Sequence, residues 1–380
     1  RNQYYDTKYW YNQSSVGLYE TKLSYLQQIE NYFIDDSSSK GFTTILNTMF
    51  NSLDTLKNNA SDVNTRQQFI GSAQNLATYF NSVSEGLTDI QKGTNDEIKS
   101  TVQNINAIAE KIAVLNKQIN VIEIQGGYAN ELRDQRALLI DELSEIVPTE
   151  VSEVPITDTN HPDEPTGANY YTVKIGGQVL VDTYNYETLE CKAREYKVNQ
   201  TDAAGLYDIK WSKTGNTFNA GGSSMSGTLK ALFDIRDGNN GENFSGLAKV
   251  LNSTEVQITN PSITSIVGVS MPEEGILTIN GREYAYEGFT FEQDADGNIT
   301  SYTFNMKRAL TAEEQARVDG RTASVGTSID AMGIPYYMSQ MNQFLRSFAT
   351  EFNNILKKGV DLDGNSTSGY AFFTDFYQQG

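Results

Sequence analysis

The sequence predicts a multidomain α+β protein, in which the N- and C-terminal parts form an elongated antiparallel helical bundle or rod that carries inserted β-rich domains. Three observations predict this fold. Apolar residues recur every three or four positions over residues 62–122, which is the pattern of an amphipathic helix. After Pro148 they alternate with polar residues, as in β-strands. Helical spacing returns over residues 335–358, so helical segments enclose the β segments.

The longest predicted helix covers about residues 62–122. A 4-3 spacing keeps one apolar seam turned toward a partner helix, as in a coiled coil. This seam contains Leu76, Phe80, Val83, Leu87, Ile90, Ile98, Val102, Ile105, Ala109 and Ile112. Two steps of four through Thr94 shift its phase, and we expect any bend or break at the neighbouring Gly93. The polar face is rich in Asn, Gln, Lys and Glu.

Shorter helices are expected on both sides of this long helix. They cover residues 18–34, 42–57, 129–146, 225–236 and 335–358. Gly126 and Gly127 stop the long helix, and Pro148 ends the helix that follows. The simplest arrangement of these two consecutive helices is an antiparallel pair.

The β segments contain two hairpin signals. Gly176-Gly177 and Asn280-Gly281 each separate two alternating runs, and such pairs favour tight turns between antiparallel strands. Further strand-like runs lie at 186–198 and 206–218. We expect three domains: a helical rod domain from residues 1–150 with 223–250 and 332–380, a β-rich domain at 151–222, and an inserted β-rich module at 252–331.

Composition excludes several classes of function. The 380 residues carry a net charge of −19, and acidic surfaces repel nucleic-acid phosphates. Cys191 is the single cysteine and His161 the single histidine, so neither an intrachain disulfide nor a Cys/His metal cluster can form. No apolar run is long enough for a membrane helix, and no signal peptide is recognised. We therefore assign no catalytic, cofactor-binding or metal-binding residues, and expect no cofactor and no enzyme.

Two acidic segments resemble the start of a calcium loop. They are Asp294-Ala-Asp296-Gly-Asn298 and Asp361-Leu-Asp363-Gly-Asn365. A calcium loop of the EF-hand type needs a bidentate glutamate at its twelfth position, which is occupied here by Asn305 and Phe372. The Asp, Gly and Asn residues are those of tight turns, so we predict turns at both places.

An aromatic cluster lies near the N-terminus. It consists of Tyr4, Tyr5, Tyr9, Trp10 and Tyr11. Such rings can stack on bases or sugars, but we favour packing under a neighbouring helix, where aromatic side chains bury a large area.

Four segments resemble those of a known family. They are the long-helix segment from Arg66 to Ile119, the run Ala-Asn-Glu-Leu-Arg-Asp-Gln-Arg-Ala-Leu-Leu at 129–139, the run Gly-Thr-Leu-Lys-Ala-Leu-Phe-Asp-Ile-Arg-Asp-Gly at 227–238, and Phe-Ala-Thr-Glu-Phe-Asn at 348–353 followed by 359–364. The family that they resemble is that of bacterial flagellar hook-associated protein 1. Together they cover about half of the chain. Residues 252–331 correspond to no family segment, so the resemblance implies no role for them.

The resemblance implies a structural adapter at the junction of the flagellar hook and filament. It further implies an extracellular location, export through the flagellar type III secretion channel, and four partners: the hook protein, the second hook–filament junction protein, neighbouring copies in a ring, and an export chaperone. The family's terminal coiled-coil segments are missing, and Arg1 is not a start residue, so we expect a central fragment that is monomeric in isolation.

Alternative functions remain open at this point. Within flagella, the chain could be flagellin or the second junction protein. From another class, the β insert could be a carbohydrate-active or adhesive module.

Overall fold

The computed structural model of the chain describes residues 3–36, 40–157, 164–199, 201–222, 225–238, 244–264, 271, 274–295, 297–325 and 333–374. The chain divides into two compact units. Unit one comprises residues 1–28, 90–195 and 203–237, and unit two comprises residues 29–89, 196–202 and 238–380.

The helices follow the predicted order. They are α1 (Gln3–Asn31), α2 (Phe42–Asn58), α3 (Val63–Ile124), α4 (Asn130–Ile146), α5 (Gly227–Arg236), α6 (Ala312–Val318) and α7 (Ile334–Leu356). Helix α1 begins 15 residues before its predicted start at residue 18, and α6 was not predicted. Among the helices in the described part of the chain, none is long and apolar enough to cross a membrane.

Helix α3 runs without interruption through Gly93, so the phase shift does not break the helix. The predicted apolar seam is confirmed by burial, since Ile98, Ile105 and Ile112 are fully inaccessible to solvent. The helix ends where Gly126 adopts a φ of 81°. The N–H of Gly127 then donates to the carbonyl of Ile122 at 3.1 Å, which satisfies one of the last carbonyls of the helix.

Unit one contains two antiparallel sheets. Strands β1 (Thr149–Thr157), β2 (Pro165–Ile175), β3 (Gln178–Asp182) and β4 (Asn185–Tyr186) form a meander in sequence order, and β5 (Leu189–Ala193) pairs with β6 (Tyr207–Trp211). The predicted hairpin is confirmed, because Ile175 pairs with Gln178 around Gly176 and Gly177. Both glycines have positive φ, as the favoured two-residue hairpin turn requires.

Unit two contains a closed antiparallel barrel. Its strands are β7 (Phe244–Val250), β8 (Glu255–Thr259), β9 (Gly275–Ile279), β10 (Arg282–Gln293), β11 (Ile299–Met306) and β12 (Thr322–Val325), in the closed order β10-β11-β8-β7-β12-β9. The Asn280-Gly281 hairpin is confirmed between β9 and β10. The first and last strand residues, Phe244 and Val325, are register partners.

Aromatic side chains fill the barrel. The rings of Phe244, Tyr286 and Phe304 are fully buried, and Phe304 contacts each of the other two with ring centroids 5.7 and 4.9 Å apart. Offset or edge-on ring pairs of this kind add to the stabilisation from burial. The barrel therefore has an apolar core of its own.

The helices of unit two also join through aromatic contacts. Phe42 of α2 meets Phe344 of α7 edge-on at 5.2 Å, and Phe80 of α3 contacts both rings. Further along, Phe69 of α3 stacks on Phe352 of α7 at 6.2 Å. The N-terminal part of α3 is thus packed against α2 and α7.

Candidate functional site: the polar face of the long helix

A line of buried or half-buried amide side chains follows the part of α3 that lies in unit one. This amide ladder consists of Gln91, Asn95, Asn106, Asn116 and Asn120, each of which binds a backbone group of another segment. At about 100° per residue, their spacings of 4, 11, 10 and 4 place all five within about 80° of one another around the helix. The ladder is therefore one continuous edge, and it lies beside the apolar seam.

Two of these amides bind a backbone segment in the way a neighbouring strand would. The side chain of Asn106 donates to the carbonyl of Leu189 and accepts from its N–H, both at 2.8 Å. Asn120 does the same with Asn169, at 2.9 and 3.0 Å. A side-chain amide has one donor side and one acceptor side, so it can satisfy both polar groups of one backbone residue. Helix α3 thereby holds the start of β5 and part of β2.

The N-terminal end of the ladder binds the last residue of α5 and the segment that leads into β6. Gln91 donates to the carbonyl of Arg236 at 2.9 Å and accepts from the N–H of Ala203 at 2.8 Å. Asn95 accepts from the N–H of Tyr207 and from Nη1 of Arg236, both at 2.8 Å. Four hydrogen bonds thus join α3 to the end of α5 and to β6.

Arg236 is the centre of a buried ionic cluster. Its side chain is inaccessible to solvent, and its Nε and Nη2 atoms donate to the two carboxylate oxygens of Asp237 at 2.8 and 2.7 Å. Arg194 donates to the same carboxylate at 2.7 Å and to Asp208 at 2.7 Å. Burial alone would raise the pKa of Asp237, but the two guanidinium groups outweigh it and hold that pKa below its usual value. Asp237 and Asp208 together therefore offset the two positive charges of this cluster.

A second ionic cluster joins α3, α4 and the first sheet. Arg133 binds Glu123 through two parallel hydrogen bonds of 2.6 and 2.7 Å and also donates to Glu153 at 2.9 Å. Arg136 donates to Asn116 at 2.8 Å, and its guanidinium lies 3.5 Å from the ring centroid of Tyr171. The hydrogen bonds from Arg133 lower the pKa of Glu123. Paired in this way, the arginines fasten α4 to its neighbours.

A cavity of about 470 Å³ lies beside this second cluster. Its lining includes Asp6, Trp10, Arg133, Arg136, Glu153 and Tyr171. Trp10 donates from its indole N–H to Asp141 at 2.8 Å. Arg133 and Arg136 of the lining both bind Glu153, so this site joins helices and strands through charge-assisted hydrogen bonds.

The single histidine and the single cysteine do not form a site in the described part of the chain. His161 lies outside the described residues. Cys191 lies in β5, where burial raises the pKa of its thiol. Within the described ranges, no three His, Cys, Asp or Glu side chains are arranged to hold a metal ion.

The two acidic segments form turns, as the sequence predicts. Asp294 accepts from the N–H of Asn298 at 2.8 Å. Asp361 accepts from the N–H groups of Asp363 and Asn365 at 2.9 and 2.8 Å. The carboxylate closes its own turn in both cases.

Comparison with known proteins identifies a family match over much of the chain. The family described as "Flagellar hook-associated protein FlgK helical domain" matches residues 26–259. This range includes the amide ladder and both ionic clusters, and it covers more than half of the 380 residues.

Individual relatives carry related names. The flagellar hook-associated protein 1 of Bacillus subtilis (strain 168) is 36% identical over 152 residues, which are 40% of this chain and 30% of that protein. The protein of the same name from Salmonella typhimurium is 42% identical over 143 residues, or 37% of this chain and 25% of that protein. The matched stretch thus spans less than a third of either relative. A solved structure, the flagellar hook junction protein FlgK from Burkholderia pseudomallei, matches 88% of this chain and 65% of that one with a TM-score of 0.49 and 16% identity.

Proposed function

This chain belongs to the family of the flagellar hook-associated protein FlgK helical domain, and from that premise we propose that it is part of the adapter between the flagellar hook and filament. The observation that carries the proposal is the identity of the residues that form the two ionic clusters. Arg133, Arg136 and Arg236 belong to the two family-like segments at 129–139 and 227–238, and each is bound internally. An adapter must transmit force between neighbours, and charge-assisted joints between helices and strands favour that mechanical role over catalysis.

We further propose the partners and location that go with this role. The chain would lie in the extracellular flagellum after export through the flagellar secretion channel with the help of an export chaperone. There it would contact the hook protein, the second junction protein and copies of itself in a ring. In isolation we expect a monomer, because side-by-side contacts between polar helix faces are weak when each stands alone.

Complementation in the native bacterium tests the adapter role. Deleting the gene should leave hooks without filaments while flagellin accumulates in the culture medium, and the intact gene should restore filaments. An epitope inserted in an exposed turn of the restored protein should be detected by immunogold labelling at the boundary of hook and filament. Labelling along the filament would instead favour flagellin, and normal filaments in the deletion strain would refute the proposal.

A matched pair of variants compares the ionic cluster of Arg236 with an exposed residue of α3. Arg236→Met keeps a long side chain but leaves the half-buried Asp237 without its adjacent guanidinium, so we expect an unstable adapter and few filaments. Lys111→Ala removes an exposed side chain and should restore filaments fully. If Arg236→Met melts as the wild type does and also restores filaments, the ionic cluster of Arg236 is not required for the adapter role.

A further inference from the structure

The apolar seam of α3 is interrupted at one place. Leu87 and Ile98 are both fully inaccessible to solvent. The ten residues between them make about three turns and contain a single large apolar side chain, that of the half-buried Ile90. We call residues 90–97 the polar segment of α3. Because apolar burial stabilises a packed helix, packing stabilises α3 less in this segment than in the turns on either side.

Polar side chains occupy the buried positions of the polar segment. Gln91, Thr94 and Asn95 are 0%, 0% and 7% exposed. Gln91 and Asn95 are held by hydrogen bonds to backbone groups of other segments. The net contribution of such hydrogen bonds to stability is modest, because water forms equivalent bonds when the site opens. Water therefore competes for the contacts that hold this segment, which is not the case for the apolar contacts of the flanking turns.

The hydroxyl group of Thr94 competes with the helix backbone. It donates to the carbonyl of Ile90 at 2.8 Å, and in an α-helix the same carbonyl accepts from the backbone N–H of residue 94. A hydroxyl that binds the carbonyl four residues earlier slightly destabilises a helix and often bends it. The backbone hydrogen bond of this turn is therefore weakened.

Gly93 lies in the same turn, at a position where packing does not require a glycine. A Cβ atom there would meet no heavy atom within 4 Å. By contrast, a Cβ atom at Gly86 would lie 2.1 Å from the ring of Tyr32, so close packing explains the glycine at that position. Glycine destabilises the interior of a helix relative to alanine. At Gly93 no packing contact accounts for this destabilisation.

We propose that the polar segment is a hinge that opens locally: residues 90–97 transiently lose their helical hydrogen bonds while the turns of α3 on both sides stay packed. In the closed form the hydrogen bonds of Gln91 and Asn95 hold the segment, and in the open form water replaces them. Such an opening gives α3 a point at which it bends without unfolding elsewhere. This proposal does not rest on the adapter role, because it concerns the local stability of one helix.

Native-state hydrogen exchange of the whole chain tests the proposal. Peptides that cover residues 90–97 and 101–112 are compared by mass spectrometry at increasing urea concentrations below the unfolding transition. After correction for intrinsic rates, residues 90–97 should exchange at least about tenfold faster than residues 101–112. A local opening exposes little surface, so the rate for residues 90–97 should not change with urea, whereas the rate for residues 101–112 should rise.

Two glycines of α3 provide matched variants. At Gly71, as at Gly93, a Cβ atom would meet no heavy atom within 4 Å, but its neighbours Phe69 and Ala73 are buried apolar residues. Gly93→Ala should slow the exchange of residues 90–97 about fivefold, which corresponds to the difference in helix propensity of about 1 kcal/mol. Gly71→Ala should leave that rate within about 1.5-fold, because the turn around residue 71 stays helical in the open form. Both variants should keep the wild-type circular dichroism.

Three results would overturn the proposal. The first is the same urea dependence in the two peptides, and the second is an unchanged exchange rate of residues 90–97 in Gly93→Ala. The third is an equal slowing of these residues by Gly71→Ala and Gly93→Ala, which would show that they exchange only when α3 unfolds as a whole.

Discussion

At the residue scale, the amide side chains of α3 do what a neighbouring strand usually does. Asn106 satisfies both backbone groups of Leu189, and Asn120 does so for Asn169. Buried backbone groups without partners destabilise a fold, and a sheet that packs on a helix has no further strand to supply them. The amide ladder supplies the missing hydrogen bonds from side chains of α3.

Replacing Asn106 with alanine should therefore destabilise unit one. The change removes two hydrogen bonds and leaves the N–H and C=O of Leu189 without those partners, so we expect a loss of about 1–3 kcal/mol in the free energy of unfolding. Asn104→Ala is the matched control, because Asn104 bonds only the exposed Glu142 at 3.0 Å among its described contacts; we expect less than about 0.5 kcal/mol there. Urea denaturation measures both, and equal losses would contradict the special role of Asn106.

The ladder could not be predicted from residue types alone. Amides are common on solvated helix faces, so Asn106 and Asn120 look like surface residues until the strands that they bind are placed. The sequence shows that these amides lie along one edge of α3. It does not show which backbone groups they bind, because that depends on how the strands are placed against the helix. The ionic pairs of Arg133 and Arg236 were hidden for the same reason.

At the element scale, the apolar seam of α3 is the feature that the sequence predicts best. Ile105 lies in the middle of the 4-3 spacing, and the structure buries it completely. Repeating apolar contacts over many turns also explain why the helix continues through Gly93. One glycine costs about 1 kcal/mol in a helix, which is small against the packing of the flanking turns.

A charge at Ile105 should break this seam. In Ile105→Asp a carboxylate would enter a fully buried apolar site, at a cost of at least about 3 kcal/mol. Thermal unfolding followed by circular dichroism should show the loss, and the variant should give hooks without filaments in the native bacterium. Lys111→Ala, off the seam, should change stability by less than about 0.5 kcal/mol. Wild-type melting and normal filaments in Ile105→Asp would show that the seam is not a core.

At the scale of the whole molecule, the described chain contains two kinds of core. Helix α3 and its neighbours depend on long apolar seams, whereas the barrel depends on a compact set of aromatic rings. The hairpins of the barrel were predictable from local turn residues such as Asn280 and Gly281. Strands β7 and β12 were not predicted, because barrel closure depends on pairing between residues about 80 positions apart. We retain the three-domain division as a proposal.

Phe304→Ala tests whether the barrel unfolds separately from the helices. Removing a fully buried ring from the barrel core should cost about 3–5 kcal/mol. The two tryptophans, Trp10 and Trp211, both lie in unit one, so their fluorescence reports that unit. We expect the amides of β11 to lose protection in hydrogen exchange while the fluorescence midpoint stays unchanged. A matching fall in that midpoint would show that the chain unfolds as one cooperative body.

The pairing of Phe244 with Val325 has a consequence for how this chain can vary. Directly paired antiparallel residues lie about 5 Å apart, so the polypeptide enters and leaves the barrel at almost the same point. A short flexible tether could therefore replace residues 244–325 without pulling the flanking segments apart, and an unrelated module with adjacent termini could be grafted there. The barrel can therefore be replaced as a unit, and its sequence can diverge at a different rate from that of the helices.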